Sequence, residues 1–127
     1  MSESYRDLIV WQRAMALVTD VYRATESFPT REIYGLTNQV RRAAVGVASD
    51  IAEGKGRISK KEYLQFLAKA RGSSFEVQTQ LEISSNLGFL DAQTFEVLRE
   101  KAAEVARLVN GLMKNVREQI ADDAPIS

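Results

Sequence analysis

Four stretches of this chain repeat their apolar residues at steps of three and four, and short polar breaks separate them. That spacing is the helical period, and four such stretches in 127 residues leave little sequence for anything else. The first runs from about Tyr5 to Phe28, with Leu8, Trp11, Met15, Val18, Tyr22 and Thr25 on one line. Phe28-Pro29 should end it, because a residue before proline avoids the helical region. The second runs from about Arg31 to Glu53 through Leu36, Val40, Ala43, Ala44, Val47 and Ile51, and Gly54 stands where a left-handed C-cap is expected. Ser59-Lys60-Lys61-Glu62 has capping-box spacing, so the serine oxygen and the Glu62 carboxylate should each satisfy a free amide. From there Tyr63, Phe66, Leu67, Ala70, Ser74, Val77 and Leu81 carry a third helix to about Leu87, before Gly88. Asp91 caps the fourth, which is lined by Phe95, Leu98, Ala102, Val105, Val109, Leu112, Val116 and Ile120.

Helices of about 20 to 30 residues, roughly 30 to 45 Å long, joined by short connections must run antiparallel to their neighbours. The expected fold is all-α: an up-down-up-down antiparallel four-helix bundle in one domain over residues 1–120, with ADDAPIS at 121–127 as a frayed tail.

Composition narrows the chemistry. The chain has no cysteine and no histidine, which removes disulfides, thiol nucleophiles, Cys/His zinc sites and imidazole acid–base catalysis. Glu76, Thr79 and Glu82 loosely share one side of the third helix, but bundle metal sites of that kind pair glutamates with Glu-x-x-His motifs. GKGR lacks the spacing of a phosphate-binding loop. No catalytic residue, metal or cofactor is expected, and the chain does not read as an enzyme. Trp11, Tyr22, Tyr63 and Phe66 lie on core lines, which makes them packing residues before base-stacking ones. MSESYRDL has no basic segment followed by an apolar one, and no apolar run approaches the roughly 18 residues a membrane span requires. A cytoplasmic protein is the expectation, without membrane contact.

Two patterns exceed what a lone bundle needs. Net charge is zero, yet residues 41–71 carry eight bases against three acids, while residues 1–40 and 72–127 sum to −1 and −4. The second pattern is surplus apolar surface. On the second helix Val45, Ala48 and Ala52 form a small-residue stripe displaced by about 80° to 140° from the core line. Leu64, Ala68 and Phe75 do the same on the third helix, and Val10, Leu17, Val21 and Phe28 lie on a flank of the first. Such stripes mark either contact between copies of the chain or one wide core.

DLIVWQRA near the start, Phe28-Pro29-x-x-Glu32, Tyr34-Gly35-Leu36, TNQVRRAAVGVASDIAEGKGR and KEYLQFLAKARGSSFEVQTQL follow one another over roughly residues 5 to 115. In that order they resemble the bacterial four-helix bundle family encoded in intervening sequences of large-subunit ribosomal RNA. The accessory protein of diversity-generating retroelements is a relative that forms pentamers with a basic surface and binds reverse transcriptase and nucleic acid. The resemblance implies a homo-oligomer, pentameric by that analogy, with RNA or DNA as a partner, and no enzymatic activity. The chain departs from the family pattern at Asp50, where asparagine is usual, and at Gly46-Val47-Ala48, where Ser-Ile-Pro is common; an acid there weakens anion binding.

The candidate nucleic-acid residues are Arg41, Arg42, Lys55, Arg57, Lys60 and Lys61, the last four forming a basic turn between the second and third helices. A plainer account of DIAEGKGR is a helix stop whose Lys55 and Arg57 suit the negative end of the helix. Arg41 and Arg42 fit ion pairs between subunits, or solvated charges, better than they fit nucleic-acid contact. Val45, Ala48, Ala52, Leu64, Ala68 and Phe75 are the candidate subunit contacts. Two readings stand: an oligomeric bundle adaptor that contacts RNA or DNA, and a protein-interaction module that contacts none.

Overall fold

The computed structural model describes residues 4–123. Its four helices are α1 (Ile9–Thr25), α2 (Leu36–Lys55), α3 (Lys60–Asn86) and α4 (Ala92–Asp122). Each packs on its neighbours in sequence, α1 closes against α4, and the diagonal pairs do not meet among the described residues. This is the expected up-down-up-down bundle. Leu17, Ile51, Leu67, Leu81 and Met113 fill its axis.

The helix ends follow their caps. Ser59 Oγ accepts from the Glu62 amide at 3.0 Å, and Asp91 Oδ1 accepts from the Thr94 amide at 2.7 Å. Of the anticipated box at α3, the serine half is formed. After α3 the chain turns through Gly88 at φ +79, the only left-handed residue described. Phe89 N–H then reaches the Ser84 carbonyl at 2.9 Å and Gly88 N–H the Ser85 carbonyl at 3.0 Å, which is a Schellman motif.

Gly54 does not play the part expected of it. It lies inside α2, and the helix closes at Gly56 with φ −80. A Cβ at Gly54 would sit 2.7 Å from Phe66 Cβ, so the glycine is there to let α3 approach. The start of α2 also moves. Thr30–Glu32 form a separate 3-10 turn, and Glu32 Oε1 then accepts from the Leu36 amide at 3.1 Å.

The first helix needs two corrections. Leu8 is extended (φ −73, ψ 124), so Tyr5–Asp7 form a 3-10 turn apart from α1. The buried line of α1 is Val10, Ala14, Leu17, Val21 and Thr25; Met15 and Tyr22 are exposed, and Trp11 and Val18 half-buried. Val10, Leu17, Val21 and Phe28, expected on a flank, are core. Finally, α4 runs through Asp122, so the first residues of the expected frayed tail are helical, while 124–127 lie outside the described residues.

Candidate subunit and nucleic-acid interfaces

Two contacts fix which way the apolar stripes face. Arg41 Nε donates to Thr25 Oγ1 at 2.7 Å, and its guanidinium lies 4.6 Å from the Tyr22 ring centroid, so that ridge of α2 borders α1. Val45, Ala48 and Ala52 follow Arg41 at intervals of four, three and four, on the same ridge. Across the groove α1 presents Trp11, Met15, Val18 and Tyr22. On α3, Arg71 donates to Asn110 Oδ1 of α4 at 3.4 Å, and Leu64, Ala68 and Phe75 share the Arg71 ridge. The two stripes therefore occupy opposite flanks: one in the α1–α2 groove, the other in the α3–α4 groove.

They are not equally free. Val45 is 38% exposed and Phe75 52%. Ala52 is half-buried, and Leu64 and Ala68 pack partly against the protomer's own core. Ala48, at 5% exposure, belongs to that core and is withdrawn as a surface contact. Val45 and Phe75 remain exposed on these ridges, as do, unforeseen, Met15 and Tyr22 on α1. Met15 and Tyr22 were missed because apolar residues almost encircle α1 and its line was phased on its aromatics.

The basic residues do not form one surface. Arg41 is a clamp: besides Thr25 it donates to the Tyr22 carbonyl at 3.3 Å, satisfying the C-terminal end of α1. Arg42, exposed, lines a polar groove between α2 and α3 with Asn38, Gln39, Ser73, Glu76 and Gln80. Gln80 Oε1 is shut from solvent there without a partner among the described residues.

At the far end of the bundle, Arg57 pairs with Glu53 at 3.0 Å and stands 4.5 Å from the Phe66 ring centroid, which Lys69 also approaches to 4.7 Å. Lys55 lies 5.9 Å from the Tyr63 ring. Burial raises the Tyr63 phenol above its usual range, and its hydroxyl has no partner among the described residues. Lys60 pairs with Asp123, the C-cap of α4, 63 positions away in sequence, and Lys61 is exposed. Folding thus sets one acid from outside the segment, Asp123, against its +5, since Glu53 already counts within that total. Antiparallel packing would have disclosed Asp122 and Asp123, since α4 must end where α3 begins.

Asp50 is held above the usual carboxylate range by burial and by neighbouring Glu53, against the attraction of Lys69. Among the described residues there is no group of three or more carboxylates placed to hold a metal ion. Nor is any described helix long and apolar enough to cross a membrane.

A family model described as 23S rRNA-intervening sequence protein matches residues 6–111. Among solved structures, the chain is similar to a crystal structure of a protein with unknown function from the S23 ribosomal protein family of Bacteroides thetaiotaomicron VPI-5482. The TM-score is 0.76 at 15% identity, covering 84% of this chain and 99% of that one. That likeness establishes a shared fold. No curated protein matches.

Proposed function

The chain belongs to the 23S rRNA-intervening sequence protein family, and from that premise we propose that it is a non-enzymatic adaptor built from several copies of one bundle, pentameric by the family resemblance, which contacts RNA or DNA. The observation that carries this reading is the pair of apolar ridges on opposite flanks, with Val45 on one and Phe75 on the other. Flanks that differ and face apart suit a head-to-tail arrangement, which closes into a ring when the rotation allows. A ring would repeat Lys55, Arg57 and Lys61 around one axis and concentrate their field.

Light scattering tests the assembly. A mass several times 14.2 kDa is expected, and 14.2 kDa at every concentration would overturn the reading. Retention of a nucleic-acid duplex, falling steeply with salt, tests the contact.

The pairing of Arg57 with Glu53 and of Lys60 with Asp123 favours a second reading, a protein-interaction module without nucleic-acid contact. Reversing Lys55, Arg57, Lys60 and Lys61 to glutamate separates the two. The module keeps its partner binding, whereas the adaptor loses nucleic acid.

A further inference from the structure

We propose that the acidic end of α4 is a built-in competitor for polyanions at the basic α2–α3 turn, so that nucleic acid binds by displacing it. This rests on the nucleic-acid reading above and adds its regulation. The turn's four bases, Lys55, Arg57, Lys60 and Lys61, share one end of the bundle with four acids: Glu53, Glu62, Asp122 and Asp123. Two of those bases already contact an acid of the set, Arg57 on Glu53 and Lys60 on Asp123.

The acids of α4 are misplaced for their own helix. A helix C-terminus is its negative end and favours cations, yet α4 has no base in its last turn and finishes with Asp122, Asp123 capping it. Nothing within α4 compensates those carboxylates. Lys60 pairs with Asp123 across the groove. The contact is exposed on both sides and lies at a helix end, so it is weak and readily exchanged. A phosphate offers Lys60 the same chemistry as Asp123 with more charge behind it, and release of Asp123 leaves Lys60 free to neutralise one more phosphate.

The test uses the full chain, a fluorescein-labelled RNA hairpin and fluorescence anisotropy across a salt series. Asp122→Asn with Asp123→Asn should tighten binding roughly fivefold at low salt, as expected for removing a charge contact in water. It should also steepen the slope of log affinity against log salt, because salt weakens the Lys60–Asp123 contact that only the native protein must break. In a Lys60→Met background the same pair of changes should leave the slope unaltered, which a merely general loss of acidity would not predict. If native and Asn variants bind with equal affinity and slope, the competitor is refuted and the nucleic-acid reading stands. If the slope steepens equally without Lys60, the contact with Asp123 is not the device and the proposal fails. If neither native protein nor variant binds the hairpin at low salt, the nucleic-acid reading fails and takes this proposal with it.

Discussion

Two single positions show how local chemistry reports a tertiary cause. Gly54 reads in the sequence as a helix stop, yet it is a buried residue of the last turn of α2, set against α3. Gly54→Ala gains about 1 kcal/mol in helix propensity but forces a methyl to 2.7 Å from Phe66 Cβ and 3.1 Å from the Tyr63 ring. Overpacking of this kind costs about 1–3 kcal/mol, and because Phe66 Cβ is fixed to the α3 backbone the cost should prevail. Urea titration should show a net loss, whereas Gly111→Ala, whose Cβ meets nothing within 4 Å, should gain about 0.5–1 kcal/mol. Asp50 makes the complementary case in electrostatics. Its folded pKa lies above the unfolded value of 3.8, so its favourable contribution is complete below 3.8 and is lost as pH rises through the folded pKa. At neutral pH the ionised carboxylate is therefore a cost. Asp50→Asn should raise the urea midpoint at neutral pH, and the advantage should vanish as pH falls towards 3.8; an advantage that persists in acid would contradict this account.

At the scale of elements, α1 is the helix held by the least contact with its neighbours, and Arg41 compensates by binding the C-terminal turn of α1 from α2. Arg41→Met keeps the stem but removes the donors to Thr25 Oγ1 and the Tyr22 carbonyl. The expected loss is about 1–2 kcal/mol, and amide exchange should rise first over residues 20–25, before the rest of α1. Uniform destabilisation without that local signature would mean that Arg41 acts by packing alone. Why helix existence was legible while the phase of α1 was not follows from its composition. On α2 and α4 the main buried line follows the sequence reading, apart from Ala48, which joins the core, and Met113, which is buried in place of Leu112. On α1 apolar side chains occur at Ile9, Val10, Trp11, Met15, Leu17, Val18, Val21 and Tyr22, so period alone permits two lines. The structure chooses the one through Ala14, whose small side chain lets α1 sit close to the core, and leaves the bulky Met15 and Tyr22 outside. The break at Leu8 has no glycine or proline to announce it.

For the molecule as a whole, charge was the quantity least legible in the chain, because a segment sum ignores what folding brings in from afar. Lys60 and Asp123 are 63 positions apart and meet only through antiparallel packing. The apolar ridges were legible in part: Val45 and Phe75 stand exposed, Ala48 is core, and only the contacts of Arg41 with α1 and Arg71 with α4 put the ridges on opposite flanks. That opposition allows a mixing experiment to distinguish head-to-tail assembly from face-to-face pairing. Val45→Asp spoils the α1–α2 flank and leaves the α3–α4 flank intact; Phe75→Asp does the reverse. Burying an unpaired carboxylate at a contact is costly enough to abolish it. If the flanks join head to tail, each variant alone should be monomeric by light scattering. An equal mixture should then form a heterodimer and stop there, since the one sound α1–α2 flank meets the one sound α3–α4 flank and the outer sides are both blocked. Face-to-face pairing through one flank gives another pattern, because the variant altered on the unused flank would assemble unaided and mixing would add nothing.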